Sequence, residues 1–241
     1  MKFALIGHPV AGSLSPRLFA AAYEGRYPYH LLDFEHFADA WKAFLEGYQG
    51  INVTAPFKQA AFAHVEWLSE SARATGAVNL VVKAHDGLRG YNTDVDGVEG
   101  AVRECGLPAA DALIVGTGGA ARAAIVAAGR LGCRVGVSGR SAQKASALAA
   151  QLGCEAVPWE ELGKLRPGLV IYTLPGGVPV PPGVNFAESV VLEAEYKHPA
   201  LAQLPCKAYI PGTRWLLWQA AAGYRLFTGE EPNLEYLFNA V

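Results

Sequence analysis

A lysine and an aspartate stand among polar residues that could bind and protonate a hydroxylated substrate. Lys58 ends the segment 52–58, Asn-Val-Thr-Ala-Pro-Phe-Lys, in which an apolar strand runs into polar residues. Loops that follow parallel strands are where α/β proteins bind their ligands. A partly desolvated lysine can have its pKa lowered toward neutrality, so Lys58 could donate a proton to a reacting oxygen. Asp94 could orient this lysine or share its proton, although an ordinary turn with a solvated Lys58 also fits the pattern.

Side-chain amides and hydroxyls cluster at the ends of the predicted N-terminal strands. A site built from such groups discriminates strongly, because a substrate analogue that lacks a hydroxyl leaves them unpaired. The residues that could bind hydroxyl groups in this way are Asn52, Thr54, Asn79 and Asn92.

Two serines, Ser13 and Ser15, lie between the first predicted strand and the first predicted helix. Their hydroxyls and the helix N-terminus could bind a carboxylate. A simpler interpretation is that Ser15 caps the helix and Pro16 occupies its first turn. Taken alone, the spacing favours this capping interpretation.

A glycine-rich turn, Gly116-Thr117-Gly118-Gly119-Ala120, stands between an apolar strand and an alanine-rich helix. Glycine lets a backbone approach a phosphate closely, and a helix N-terminus supplies free N–H donors and the positive end of a dipole. The strand, the turn and the helix together predict a dinucleotide site.

The residues after the next strand indicate which dinucleotide binds. An acid about 20 residues after the first glycine usually holds the ribose 2′-hydroxyl of NAD. This chain has Ser138-Gly139-Arg140-Ser141 there, with Lys144 one helical turn later. A guanidinium, a hydroxyl and an ammonium can all bind a 2′-phosphate, which favours NADP over NAD. A tight strand–helix turn with solvated charges is the alternative.

Strands and helices alternate along the chain, which predicts α/β architecture. The predicted strands cover residues 2–6, 29–34, 50–53, 79–83, 88–91, 112–115, 134–137, 155–157, 169–173 and 190–192. The predicted helices cover residues 16–23, 37–47, 59–68, 95–105, 121–131, 213–228 and 232–239. A domain boundary is expected near residues 95–110. We expect the last two helices to pack on the N-terminal domain, because they are too few to form a domain of their own.

The composition excludes several classes of protein. The 241 residues are 51% hydrophobic and 17% charged, so the chain can bury a large core. A net charge of −2 gives no basic surface for nucleic acid or an anionic membrane. The four cysteines are widely separated and show no metal-ligand spacing. The N-terminal strand is too short for a signal peptide, and we expect a cytoplasmic protein.

These motifs together resemble the shikimate dehydrogenase family, which interconverts 3-dehydroshikimate and shikimate with NADPH. The resemblance extends over almost the whole chain. It rests on Ser13-Leu14-Ser15-Pro16, the segment 52–58, Gly76-Ala77-Val78-Asn79, Asn92-Thr93-Asp94, the glycine-rich turn with Arg122, Arg140-Ser141 with Lys144, and Gln219-Ala220.

The resemblance implies two α/β domains separated by a cleft. One is a substrate domain with a mainly parallel sheet, formed by residues 1–97 and 214–241. The other is a Rossmann-like NADP-binding domain over residues 98–213. The small-molecule substrate would be shikimate or 3-dehydroshikimate, and the protein would be a monomer or a homodimer without nucleic-acid or membrane partners.

The resemblance also implies a role for each site residue. Lys58 would protonate the substrate carbonyl oxygen as hydride arrives, and Asp94 would position Lys58. Ser13 and Ser15 would hold the carboxylate. The other substrate-binding residues would be Thr54, Asn79, Asp94, Gln219 and Tyr196. The cofactor-binding residues would be Gly116, Gly118, Gly119, Ala120, Arg140, Ser141, Lys144 and Gly212. No metal is implied.

Two stretches depart from the family pattern and keep other functions open. They are residues 172–178, Tyr-Thr-Leu-Pro-Gly-Gly-Val, and residues 211–215, Pro-Gly-Thr-Arg-Trp. Glu193 also stands where the family usually has Asp. The alternatives are a dehydrogenase that acts on quinate or an aminated analogue, and an NADP-binding sensor without catalysis.

Overall fold

The structure, a computed structural model, describes residues 1–106, 110–181 and 183–241. It divides into two compact units, Met1–Thr93 with Gln219–Val241, and Asp94–Trp218. Each unit contains a six-stranded sheet. Residues 107–109, which are part of the predicted boundary region 95–110, lie outside the described residues.

The first unit carries six strands and most of the short helices. Its elements are β1 (Phe3–Gly7), α1 (Ser15–Ala22), β2 (Tyr29–Asp33), α2 (Phe37–Gly47), β3 (Gly50–Val53), α3 (Lys58–Phe62), β4 (Trp67–Leu68), α4 (Glu70–Thr75), β5 (Leu80–Ala84) and β6 (Gly87–Tyr91). The chain returns to this unit in α8 (Gly212–Thr228), and α9 (Leu234–Phe238) ends it.

The sheet of the first unit brings several loops to one edge. Its order is β2-β1-β3-β5-β6-β4. β1 is parallel to β2 and β3, so the loops after β1 and β3 leave at the same edge. β5 is antiparallel to both β3 and β6, which places its start and the end of β6 at that same edge. The polar residues that precede β5 and follow β6 therefore join those that follow β1 and β3.

The second unit has an entirely parallel sheet of order β12-β11-β10-β7-β8-β9. Its elements are α5 (Asp94–Cys105), β7 (Asp111–Val115), α6 (Gly119–Arg130), β8 (Arg134–Ser138), α7 (Ala142–Leu152), β9 (Glu155–Ala156), a 3-10 helix (Trp159–Lys164), β10 (Leu169–Tyr172), β11 (Val190–Glu193), β12 (Ala208–Ile210) and the start of α8. Buried alanines of α6 pack on this sheet with little side-chain bulk. The two sheets confirm the predicted α/β fold class.

The C-terminal helices pack on the N-terminal part of the first unit. The rings of Phe3 and Phe227 stack with centroids 4.9 Å apart. The backbone N–H of Asn233 donates to the carbonyl of Ala22 over 2.9 Å. The first unit is thus built from both ends of the chain.

Several local predictions were wrong or incomplete. The predicted helix 59–68 ends at Phe62, and Trp67–Leu68 instead forms β4, which pairs with β6. α4, α7, the 3-10 helix and β12 were not predicted. No helix among the described residues is both long and apolar enough to cross a membrane.

Candidate active site

Ser13 and Ser15 lie together at the start of α1. The hydroxyl of Ser13 donates to the hydroxyl oxygen of Ser15 over 3.1 Å, and the backbone N–H of Ser15 donates back to Ser13 over 3.3 Å. Ser15 does not cap the helix as predicted, because α1 begins at Ser15 and Leu14 holds the N-cap position without a side-chain hydrogen bond. Pro16 does lie in the first turn, as expected. Two adjacent hydroxyls at a helix N-terminus form an arrangement that can bind a carboxylate.

Asn52 lies near the C-terminal end of β3, and both the oxygen and the nitrogen of its side-chain amide are hydrogen-bonded. Its side-chain oxygen accepts a hydrogen bond from the Tyr29 hydroxyl over 2.7 Å. Its amide nitrogen donates to the backbone carbonyl of Asn79 over 3.3 Å. Because an amide nitrogen carries two hydrogens, Asn52 keeps a donor for a ligand.

Thr54 and Lys58 follow β3 in a turn that the backbone holds at both ends. The N–H of Thr54 donates to the carbonyl of Ile6 over 2.9 Å, and the carbonyl of Lys58 accepts from the N–H of Val78 over 2.9 Å. A side chain on Gly7 would overlap the methyl group of Thr54. Glycine at position 7 therefore lets β1 pack closely against the turn. Lys58 is half-buried and is the first residue of α3.

Asn79 connects three segments of the first unit. Its amide nitrogen donates to Thr93 Oγ1 over 3.2 Å and to Gln219 Oε1 over 3.4 Å. Its oxygen accepts from the backbone N–H of Thr93 over 2.8 Å. The Thr93 hydroxyl also donates to Gln219 Oε1 over 3.4 Å. The residue before β5, the second residue after β6 and the middle of α8 thus meet in one polar cluster.

The structure gives Asn92 a structural role instead of the predicted contact with a substrate. Its side chain is fully buried, and its amide donates to Thr75 Oγ1 over 2.9 Å and to the Ala77 carbonyl over 3.0 Å. Asn92 therefore braces the segment that leads to Asn79. Asp94 begins α5 in the second unit and is mostly buried.

In the second unit, the glycine-rich turn needs glycine for both conformation and space. Gly116 has a backbone φ of +127°, a value that residues with a side chain rarely adopt. A side chain there would also collide with the Thr173 hydroxyl. That hydroxyl donates to the Val115 carbonyl over 3.0 Å and so fixes the end of β10 against the turn.

The start of α6 can receive an anion. Gly118 holds the N-cap position and offers no side-chain hydrogen bond, and the first turn of α6 contains no acidic residue. A side chain at Gly118 would meet nothing within 4 Å. The space around Gly118 is therefore open to a ligand. The first turn of a helix has N–H groups without intrahelical partners, and the dipole of this 12-residue helix is positive at that end. These features fit the diphosphate of a dinucleotide.

Arg140, Ser141 and Lys144 are all exposed around the start of α7. The Ser141 hydroxyl accepts from the backbone N–H of Lys144 over 3.3 Å, so it caps the helix and can still donate its own hydrogen. No acidic residue occupies the first turn of α7. This donor set fits a 2′-phosphate, as the sequence predicts for NADP.

Two acidic residues hold the segment that carries Tyr196. The buried carboxylate of Glu193 accepts from the backbone N–H groups of Ala200 over 2.6 Å and Leu201 over 3.1 Å, and from the Tyr209 hydroxyl over 2.7 Å. Burial and this contact with Glu193 raise the pKa of Tyr209 above its usual range, so Tyr209 donates as a neutral hydroxyl.

Glu195 fastens the same segment to the stretch 172–178. Its carboxylate accepts from the backbone N–H of Lys197 over 2.7 Å and from that of Gly176 over 3.3 Å. Burial raises the pKa of Glu195, but hydrogen bonds from three backbone N–H groups outweigh it and leave that pKa below its usual value. The half-buried Tyr196 therefore lies in a segment that the hydrogen bonds of Glu193 and Glu195 hold in place.

Gly212, a predicted cofactor residue, begins α8 close to the end of β11. A side chain on Gly212 would lie 2.6 Å from the carbonyl oxygens of Glu193 and Ala194. Glycine is therefore required for this close packing, whether or not a ligand binds there.

Two residues that the sequence did not single out belong to the polar site of the first unit. Thr93 lies inside a recognised motif, but its contacts with Asn79 and Gln219 could not be read from that motif. Tyr29 is the first residue of β2, and only the tertiary fold brings its hydroxyl to Asn52. Within the ranges that the structure describes, no group of three or more His, Cys, Asp or Glu side chains could hold a metal ion.

Comparisons with known proteins identify the family. The sequence model of the shikimate dehydrogenase substrate binding domain matches residues 5–81, inside the first unit. An NADP(+)-dependent shikimate dehydrogenase of Thermus thermophilus is 36% identical over 257 residues, which cover 97% of this chain and 94% of that protein. The chain belongs to the shikimate dehydrogenase family.

Solved structures show the same fold for this family member. Shikimate 5-dehydrogenase of a Thermus thermophilus strain, in complex with NADP(H) and shikimate, superposes with a TM-score of 0.87 at 33% identity, covering 100% of this chain and 98% of that one. Quinate dehydrogenase of Corynebacterium glutamicum, in complex with NAD, gives 0.85 at 27% identity with the same two coverages.

Proposed function

We propose that this member of the shikimate dehydrogenase family is an NADP-dependent oxidoreductase that interconverts 3-dehydroshikimate and shikimate. The observation that carries the proposal is the polar cluster of Asn79, Thr93 and Gln219, which lies at the same sheet edge as the motif around Lys58. Amides and hydroxyls from distant segments, close to a lysine, suit a polyhydroxylated substrate that must be protonated.

Each unit contributes one part of the reaction in this proposal. Residues 1–97 with 214–241 form the substrate domain, and residues 98–213 form the NADP-binding domain. The match of residues 5–81 to a substrate binding domain supports the first assignment, and the parallel sheet with its glycine-rich turn supports the second.

In this proposal, substrate binding uses the serine pair and the amide cluster of the first unit, together with Asp94 and Tyr196. The hydroxyls of Ser13 and Ser15 hold the carboxylate, as their mutual contact at the start of α1 supports. The ring hydroxyls contact Thr54, Asn79, Asp94 and Gln219, while Tyr196 contributes from its tied segment.

Proton transfer uses Lys58 as the donor to the carbonyl oxygen, and Asp94 positions its ammonium group. NADPH supplies the hydride when it is bound. The turn 116–120 and Gly212 hold the dinucleotide through close backbone approach, and Arg140, Ser141 and Lys144 bind its 2′-phosphate.

One assay tests the proposal. Purified protein with shikimate and NADP⁺ at neutral pH should give the absorbance of reduced nicotinamide. The similarity to a quinate dehydrogenase makes quinate the second substrate to test, since it carries an additional hydroxyl. Turnover of quinate but not of shikimate would show that quinate is the substrate. Tight NADP binding without turnover of either compound would indicate a sensor.

The proposal also concerns the location and the assembly of the protein. Its four cysteines are free thiols, which suits a reducing compartment, and we propose a cytoplasmic enzyme. We propose a monomer or a homodimer, which light scattering after size-exclusion chromatography distinguishes.

A further inference from the structure

A carboxylate at the end of β2 holds the loop that carries the two serines. Asp33 is the last residue of β2, and the parallel register places it beside Gly7 at the end of β1. The imidazole of His8 donates from Nδ1 to Asp33 Oδ1 over 2.6 Å, and the backbone N–H of Val10 donates to Asp33 Oδ2 over 3.1 Å. Both oxygens of this carboxylate therefore bind the loop between β1 and α1, residues 8–14.

Val10 passes this restraint on to the serine pair. Its carbonyl accepts from the backbone N–H of Ser13 over 3.1 Å, which closes a four-residue turn. The third residue of the turn, Gly12, has a backbone φ of +72°, the left-handed value that a type II turn requires there. Ser13 Oγ then accepts from the N–H of Ser15 and donates to its hydroxyl. An unbroken series of hydrogen bonds thus leads from Asp33 to both serine hydroxyls.

Asp33 stays ionised in this position although its side chain is 39% exposed. Hydrogen bonds from His8 and from Val10 hold the pKa of Asp33 below its usual value, and the one from His8 contributes most. An ionised carboxylate accepts on both of its oxygens, as the two contacts require. The backbone N–H of His8 also donates to the carbonyl of Ala55 over 3.0 Å. The turn after β3 therefore fixes the start of the loop, and Asp33 fixes its middle.

We propose that Asp33 is a positioning residue for substrate binding, which holds Ser13 and Ser15 in the orientation that receives the substrate carboxylate. This inference rests on the proposed function, in which the serine pair binds that carboxylate. Without Asp33, the middle of the loop must be ordered whenever a substrate binds, and this ordering lowers the affinity. The effect falls on substrate binding and leaves proton transfer in place, because both contacts of the Asp33 carboxylate described above go to this loop.

The variant Asp33→Ala tests this role. We expect the KM for shikimate to rise about five- to tenfold, while kcat and the KM for NADP⁺ change by less than about twofold. Asp33→Asn keeps an oxygen that can accept from the N–H of Val10, so it should restore most of the affinity. The matched control is Asp86→Ala, because Asp86 is a similarly exposed aspartate of the same unit that binds Arg89 instead. Thermal unfolding of each variant measures any general loss of stability.

The methyl ester of shikimate separates this role from general damage to the site. The ester has no carboxylate for the serines to bind, so Asp33→Ala should change its Kd much less than the Kd of shikimate. Calorimetric titration of wild type and variant with both compounds measures this difference. A double-mutant cycle with Ser13→Ala is the second test, since the rise in KM caused by Asp33→Ala should largely disappear in that background.

Four results would overturn the role of Asp33 while the proposed function stands. They are a KM no higher than that of Asp86→Ala, an Asp33→Asn variant as impaired as Asp33→Ala, equal losses for shikimate and its ester, and additive effects with Ser13→Ala. A wild-type protein that neither binds nor oxidises shikimate would overturn the proposed function and this inference together.

Discussion

The side-chain nitrogen of Asn79 donates to the side-chain oxygen of Gln219 over 3.4 Å, although the two residues are 140 positions apart. Asn79 precedes β5, and Gln219 lies in α8. A contact between such distant segments requires the complete first unit. The polar site can therefore form only when the segments of the first unit have folded together.

Lys58→Ala tests the proton donor. We expect kcat to fall by about 100- to 10,000-fold, the usual contribution of a general acid, with a much smaller change in the KM for shikimate. Lys42→Ala is a suitable control, because Lys42 is an exposed lysine of the same unit. Near-normal turnover in both Lys58→Ala and Asp94→Ala would contradict the assigned chemistry.

Arg140→Ala tests the choice of dinucleotide. The KM for NADP⁺ should rise by about 10- to 100-fold, because a charge-assisted hydrogen bond to the 2′-phosphate is lost. The KM for NAD⁺ should stay near its wild-type value, since NAD lacks that phosphate. Arg134→Ala, at the opposite end of β8, is the control. Equal losses for both dinucleotides would exclude this role of Arg140.

Gly116→Ala tests the backbone requirement of the glycine-rich turn. The substitution should lower the free energy of unfolding by about 1–3 kcal/mol, because it places a side chain at a positive φ and against Thr173. Gly129→Ala in α6 should be neutral or slightly stabilising, since a side chain there meets nothing within 4 Å. Urea unfolding of both variants measures the difference, and equal stabilities would contradict the strained turn.

Glu104 predicts a dependence of stability on pH. Burial raises its pKa, but hydrogen bonds from Arg214 and Trp218 outweigh burial and leave that pKa below the usual value. A lowered acid pKa stabilises the fold above the unfolded-state pKa, and this stability is lost as the pH falls through the folded-state pKa.

Glu104→Gln should therefore reduce the free energy of unfolding at pH 7 by about 0.5–1 kcal/mol, a modest value because the pair is partly exposed. The difference from wild type should vanish well below pH ~4.3, the usual glutamate pKa. Denaturant unfolding at several pH values measures it, with the exposed Glu188→Gln as the control. A difference that persists at low pH would contradict the assignment.

Local sequence signals predicted much of the fold. The strand at Gly50–Val53 and the helix at Phe37–Gly47 begin and end where the pattern of apolar residues places them. Two helices were missed although their signals are present. Ser69 and Gly76 flank α4, and Ser141 and Gly153 flank α7, in each case as an N-cap serine and a glycine with a left-handed backbone.

Other features depend on tertiary contacts and leave no local signal. Trp67–Leu68 is extended because it pairs with β6, and its sequence alone continues the helical pattern before it. Asn92 and Asn79 both looked able to bind a ligand, and both are buried. Only the folded structure shows that the amide of Asn92 is engaged by Thr75 and the Ala77 carbonyl. The contact of Tyr29 with Asn52 likewise follows from the pairing of β1 with its neighbours.

The unit that contains Ser13 also contains the last residues of the chain, and this has a consequence during synthesis on the ribosome. Asp94–Trp218 is one continuous stretch, so its sheet can form as soon as that stretch has emerged. The packing of the earlier strands is complete only once Phe227 and Asn233, which contact Phe3 and Ala22, have been made. A nascent chain released before these residues are made would leave its N-terminal aromatic cluster open to aggregation or to proteases.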